Sequence, residues 1–225
     1  MRAAKTKTEI RQEQITVAAL ELMARHGPKS LNVARLARQV GVVPSAIYRH
    51  YSGKDAVLDA VLDLISARLQ ENVKAVRAET PDALDRLHRL LNRHVQLIRS
   101  NIAIPRVVFS EEMFSGHAPR RQRVHQLIQG YLDQVAALVA EGQQTGNVRA
   151  DVSAHTVSVM FLGMIHPAVI LWLASDGAFD VVNHTAMAWP LFAQMLQMGP
   201  NHHAGPSRNA GRSSSVKRKR INTPL

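Results

Sequence analysis

Cysteine is absent from the 225 residues, which excludes disulfides, thiolate zinc sites and cysteine redox switches. Aromatic residues are scarce at 4%, so a core has to be built from Leu, Val, Ile, Ala and Met. No uninterrupted apolar run reaches the roughly 20 residues that span a bilayer. The longest candidate, residues 157–174, is interrupted by His166 and Pro167; it is expected to be a buried helix, and no membrane partner is expected. The opening stretch MRAAKTKTEIRQEQ is polar and has no apolar segment of the secretory type. A reducing cytoplasm is compatible with these absences. Catalytic signatures are missing as well: there is no nucleophile elbow, phosphate loop or convincing carboxylate pair, so neither an enzyme nor a cofactor is expected. The 11 histidines do not fall at i, i+4 spacing beside a carboxylate on a clear helix, and His88 and His94 point to different faces. Metal sensing is therefore not expected.

Negative charge is missing from the two ends. Residues 1–55 hold ten Lys and Arg against four Asp and Glu, and residues 199–225 hold six against none. The 143 residues between are nearly neutral, at 12 against 13, within a net charge of +11. A neutral body between basic ends calls for a polyanionic partner, either nucleic acid or an anionic membrane surface.

What is present is helical throughout. Apolar residues recur at i, i+3, i+4, i+7 and no alternating strand pattern occurs, so the fold class is all-α with about nine helices. The first is expected over residues 9–26, closed by Gly27 as a left-handed cap. The second follows Asn32 as N-cap and stops at Gly41; the third starts near Pro44 and ends near Tyr51. The fourth opens on SGKD with Ser52 and Asp55 at capping-box spacing and runs to about Ala78. The fifth uses Thr80 as cap with Pro81 in its first turn and reaches Ser100. A short helix holds IPRVVFSEEMF, a longer one covers residues 120–144, and two apolar helices cover 152–175 and 181–198. The Gly-, Pro- and Ser-rich remainder has little to bury and is expected to be a disordered basic tail. The expected division is residues 1–55 as head, 56–198 as helical body and 199–225 as tail.

The stretch LNVARLARQVGVVPSAIYRHYSGKDAVLDAVL carries the chemistry. Two short helices joined at Gly41, with small aliphatics Val33, Leu36, Ala37, Val40, Val42 and Ile47 at their junction, make a helix-turn-helix. With Ile47 and Tyr51 turned inward, Ser45, Ala46, Arg49 and Tyr48 face outward. The second helix of such a pair enters the major groove of double-stranded DNA. Arg49 is the expected base reader, because its planar fork matches guanine O6 and N7, and Ala46 suits a thymine methyl. Tyr48, His50 and Lys54 suit phosphate oxygens, as does the start of the fourth helix. Asn32 and Ser45 are further candidate DNA contacts, and Lys5, Lys7 and Arg11 extend the footprint.

From Ile15 to Leu62, including ALELMARHG, the sequence resembles the DNA-binding domain of the TetR/AcrR family of bacterial transcriptional regulators. The run Tyr-x-His-aromatic-x-x-Lys, here Tyr48, His50, Tyr51 and Lys54, is the densest part of the match. The resemblance implies phosphate contacts and one core aromatic from that run, a homodimer, a palindromic operator and an all-helical ligand-binding domain. Asn32 stands where many relatives have Thr, and both cap. Val43 and Ala34 stand where many have polar residues, which shifts base reading onto Arg49.

After about Leu69 the resemblance fades. HTVSVMFLGMIHPAVILWLA and AMAWPLFAQMLQM are apolar on nearly every side and need covering, which a second copy of the same helices supplies. Candidate contacts for a small-molecule effector are His94, Phe109, Met113, Phe114, Tyr131, Met164, His166 and Trp172, with Leu90, Leu97, Val135 and Met160 beside them. Glu111 and Glu112 suit either a cationic ligand or an ion pair with Arg106. The expected function is a ligand-responsive, sequence-specific DNA-binding regulator, most often a repressor; the alternative is a nonspecific architectural DNA binder. KRKR at residues 217–220 fits an added nonspecific DNA arm or an inert solubilising tail.

Overall fold

The computed structural model describes residues 7–111 and 118–197, and among these no residue lies in a β-strand. The helices are α1 (Lys7–His26), α2 (Val33–Val40), α3 (Pro44–Tyr48), α4 (Lys54–Glu79), α5 (Ala83–Ser100), α6 (Ala103–Val108), α7 (Ala118–Thr145), α8 (Ala154–Gly163), α9 (His166–Ala174) and α10 (Val181–Gln197), with a 3-10 turn at Pro28–Ser30. The all-α architecture with an N-terminal helix-turn-helix and a C-terminal helical body is as the sequence pattern required.

The head is set by local chemistry. Asn32 Oδ1 accepts the Arg35 amide at 2.8 Å and starts α2. Gly41 stops it at φ 74°, ψ 37°, and the next amide, of Val42, returns to the Ala37 carbonyl at 2.9 Å. Pro44 occupies the first turn of α3, where its missing N–H costs nothing. Leu36, Ala37 and Ile47 are fully buried against α1 residues such as Ile15, Ala19 and Met23. Tyr51 is inward as expected: its hydroxyl lies 2.9 Å from Thr16 Oγ1 and donates to the Gln12 carbonyl at 3.3 Å.

Three local expectations are displaced. The Ser52–Asp55 capping box does not form; Gly53 is the N-cap of α4 without a side-chain cap, and the Asp55 carboxylate is taken by Arg120 on α7. Asp82, rather than Thr80, caps α5 by accepting the Asp85 amide at 2.8 Å, leaving Thr80 Oγ1 to accept the Asp82 amide at 3.3 Å. The expected single helix over 152–175 is two, because Pro167 in the first turn of α9 has no N–H to return to Gly163 and its ring crowds that carbonyl. Residues 154–174 are apolar and long enough by composition to cross a bilayer, with mean hydropathy 2.0 over their best window. Broken, they form two pieces of roughly 15 Å each, half of the ~30 Å hydrocarbon core. Nor is this segment wholly buried: only 39% of that window is covered, and Ile170 and Leu171 are exposed.

The body packs α4, α5, α7 and α8 around one core that is continuous with the head. α10 lies on α5, and α6 lies across α1. The expected disordered tail of 199–225, together with Lys5, Glu112, Met113 and Phe114, lies outside the described residues.

Close approach decides one position. A Cβ on Gly142 of α7 would sit 2.6 Å from Val148 Cγ2 and 2.7 Å from Ala83 Cβ, whereas one on Gly130 of the same helix meets nothing within 4 Å. In thermal melts Gly142→Ala is therefore expected to lose about 1–3 kcal/mol through overpacking. Gly130→Ala is expected to gain up to about 1 kcal/mol by relieving the helix of a glycine.

Candidate functional site

The outer surface of the head carries the sequence-predicted contacts side by side. Ser45, Tyr48 and Arg49 are exposed, Tyr48 to 57%, and Ala46, His50 and Lys54 are half-buried. Asn32 is also exposed, but its Oδ1 is the α2 cap, so its first duty is structural. His50 has a buried Nδ1 without a hydrogen-bond partner, which leaves its Nε2 as the edge able to meet an anion. Arg49 retains helical geometry just past the end of α3 (φ −68°, ψ −20°). With Ala46, His50, Thr8 and Arg11 it lines a shallow groove between α1 and α3. Arg11, read from sequence only as a peripheral cation, thus stands in the same groove as Arg49.

A second site lies inside the body. A small, partly open apolar cavity of about 50 Å³ is walled by α4 (Ile65, Leu69), α5 (His94, Leu97, Ile98), α6 (Ile104, Pro105, Val108, with Phe109 just after it), α7 (Leu127, Ile128, Tyr131), α8 (Leu162) and α9 (His166). Four of the eight candidate effector residues meet there: His94, Phe109, Tyr131 and His166. Met164 ends α8 and Trp172 packs beside the α9–α10 turn, 3.4 Å from where a Gly177 Cβ would stand; neither reaches the cavity. Leu97 lines it, whereas Leu90 and Val135 are plain core and Met160 is exposed. Ile65 and Leu69 of α4 and Leu127 and Ile128 of α7 were not anticipated. Their only sequence signal was the apolar stripe of each helix, which does not distinguish core from cavity.

The polar groups of the cavity come from α5, α7 and α9 and stand close together. His94 Nδ1 and the Tyr131 hydroxyl are 3.0 Å apart and both residues are buried. His166 presents its ring edgewise to Phe109 at 5.3 Å and to His94 at 6.2 Å between centroids. Burial pushes His94 down to about 3, helped by the neighbouring His166; it also lowers His166 and raises Tyr131 above its ordinary value. All three are therefore uncharged near neutrality.

The cavity and the head share walls. α4 supplies Ile65 and Leu69 to the cavity and Val57, Leu58 and Val61 to the buried core near the head. From α6, whose other face lines the cavity, Arg106 Nη1 donates to the Ala24 carbonyl near the end of α1 at 2.6 Å. Glu111, just past α6, pairs with Lys29 at 3.3 Å. At the start of α7, Arg120 pairs with Asp55, and Arg123 reaches Asp59 at 3.3 Å and Asp63 at 2.6 Å.

Known proteins share this arrangement. The family described as bacterial regulatory proteins, tetR family, matches residues 15–61, and the one described as YsiA-like protein, C-terminal region, matches residues 64–195, more than half of the chain. The chain belongs to the TetR family. Among TetR-family relatives, it is 26% identical to the fatty acid metabolism regulator protein of Bacillus subtilis over 175 residues, 75% of this chain and 87% of that one. It is 21% identical over 195 residues to the nucleoid occlusion factor SlmA of Vibrio vulnificus, covering 87% and 100%. Its fold matches the transcriptional regulator FadR from Bacillus subtilis in complex with stearoyl-CoA at TM-score 0.69 and 24% identity, over 81% and 98% of the two chains. TetR-family proteins are DNA-binding regulators of transcription, and this chain carries their helix-turn-helix at residues 33–48.

The buried imidazole of His94 has a measurable consequence. Its folded-state value lies far below the ordinary 6.5, so the unfolded chain binds a proton that the folded chain refuses. Its contribution is therefore fully present above pH 6.5 and is eroded as pH falls from there toward 3. By linkage the cost at pH 5 is about 2 kcal/mol. Denaturant unfolding at pH 7 and pH 5 is expected to show a stability loss that shrinks by about that amount in His94→Gln, which cannot be protonated.

Proposed function

We propose that this chain is a ligand-responsive, sequence-specific transcriptional repressor that binds a palindromic operator as a homodimer. In this reading residues 1–55 form the DNA-reading head, 56–198 the effector-binding and dimerising body, and 199–225 a basic tail. The observation that carries the reading is the cavity, because two of the helices that wall it also hold the head. An architectural DNA binder has no use for such a cavity; a regulated one does.

Arg49 reads a base, Ala46 and Ser45 face the groove floor, and Tyr48, His50, Lys54 and Arg11 hold phosphates. Competition between a selected operator and random duplex tests this. Arg49→Ala is expected to lose about 1–3 kcal/mol of discrimination at one position of each half-site. Lys54→Ala is expected to weaken binding to all duplexes alike and to lower the salt slope by about one. Undiminished discrimination by Arg49→Ala removes it as the reader.

The homodimer is supported by the apolar surface of α8, α9 and α10, where Met187 and Leu191 are 69% and 71% exposed and Val159, Ile170, Leu171 and Val182 are exposed beside them. An apolar surface of this extent on one chain needs a cover. Twofold pairing supplies it and places two heads on two half-sites, so that the second contact becomes intramolecular. In sedimentation velocity, Met187→Glu combined with Leu191→Glu is expected to turn a dimer into a monomer and to abolish operator binding at concentrations that saturate the wild type.

The effector is an acyl-type molecule. The cavity is apolar, its lining carries no Lys, Arg, Asp or Glu, and the fold match holds stearoyl-CoA. Filling the cavity would push α4 and α6, and therefore α1 and the head, toward a spacing that no longer fits the operator. Effector and operator then bind competing states of one dimer.

A further inference from the structure

Fourteen residues line the cavity, and only His94, Tyr131 and His166 among them bear polar side-chain atoms. A site built only for hydrocarbon has no need of two imidazoles and a phenol. Their hydrogen bonding is also incomplete. One bond, between His94 Nδ1 and Tyr131 Oη, is made. Whichever group donates it, the pair retains one spare donor: either His94 Nε2–H or the tyrosine O–H, according to the tautomer. The ring contacts of His166 are edgewise packing against Phe109 and His94. No hydrogen bond from its imidazole to protein accompanies them among the described residues. A neutral imidazole has one donor and one acceptor; the His166 ring is only partly buried and opens onto the cavity, so an apolar occupant would leave both unpaired, which is costly.

From this we infer that the cavity recognises an uncharged oxygen, a carbonyl or a hydroxyl, flanked by hydrocarbon on the buried part of the effector. The inference rests on the effector reading above and narrows it. The spare donors of His166 and of the His94–Tyr131 pair are the groups that meet this oxygen. A carboxylate is excluded because the lining holds no cation to receive it. The imidazoles do not become one, since burial keeps both neutral. Hydrocarbon on either side of the oxygen lies against residues such as Ile65, Leu69, Val108 and Ile128. Two sources supply the same oxygen: the thioester carbonyl of an acyl-CoA, or a hydroxyl or keto group within its chain.

Calorimetric titration of the full chain separates them. The probes are stearoyl-CoA, S-octadecyl-CoA (a thioether with no carbonyl) and 12-hydroxystearoyl-CoA, each against wild type, His166→Leu and a second variant that combines His94→Leu with Tyr131→Phe. Recognition of the thioester predicts that the thioether binds wild type about 10-fold more weakly than stearoyl-CoA. Recognition of an in-chain oxygen predicts that the hydroxyacyl ligand binds about 10-fold more tightly, with thioester and thioether alike. In either case the difference collapses to under about threefold in at least one variant. Equal binding of all three by wild type overturns the inference, as does a preference that survives in both variants; the wild-type series decides even if a variant fails to fold. If none of the three binds a chain that still binds operator, the acyl-effector reading itself falls, and this inference with it.

Discussion

The structure turns on one shared element. α4 is 26 residues long, and its first turns are sealed into the core that holds the helix-turn-helix, while Ile65 and Leu69 further along form a wall of the cavity. Buried apolar side chains at both ends bind it to both parts, because side chains in a close-packed interior cannot slide independently. The head therefore has no hinge of its own at this junction. Its direction is the direction of α4, corrected by what α6 does to α1 and by how α7 holds the start of α4.

That last hold is an ion-pair ladder whose energetics are easily overstated. Asp55, Asp59 and Asp63 lie four residues apart on one face of α4 and meet Arg120 and Arg123 on α7. The Asp55 side chain is 68% exposed while that of Arg120 is 10% exposed. The guanidinium carries a desolvation cost that a well-hydrated carboxylate offsets only in part, and its Nε has no partner. The ladder adds little net stability and fixes an orientation. Its position matters more, since Asp55 adjoins Lys54, the residue proposed to hold a phosphate. The same geometry explains why the Ser52–Asp55 capping box, reasonable by spacing, is not made.

How much of this was legible from residue order alone depends on the range of the interaction. Asn32, Gly41 and Pro44 act on neighbours within five residues, and the helix-turn-helix they delimit was readable, except that its second helix stops at Tyr48 and not near Tyr51. Tyr51 was readable as core because Ile47 shares its face. The caps at Ser52 and Thr80 misled because a donor on another helix, Arg120, takes Asp55 and a neighbouring acceptor, Asp82, takes the Asp85 amide. The break at Pro167 was visible as an interruption, but its effect was not: two short helices in place of one, with only 39% of their most apolar window covered. His94, Phe109, Tyr131 and His166 come from four segments, and nothing local says that they converge. Met164 and Trp172 had the same apolar credentials and face elsewhere, since a helix that is apolar all round carries no periodicity to say which side lines a cavity. Ile65, Leu69, Leu127 and Ile128 were hidden for the opposite reason: their stripes looked like ordinary core.

The central claim is that filling the cavity changes the spacing of the two heads in the proposed dimer. Because the chain has no cysteine, a single Arg38→Cys on the exposed side of α2 gives one spin label per protomer without further changes. Pulsed electron–electron resonance between the two labels, recorded with and without saturating stearoyl-CoA, reads the head-to-head distance directly. The account predicts a displaced distance distribution with effector and a return to the original one when operator DNA is added in excess. Identical distributions with effector demonstrably bound would contradict it.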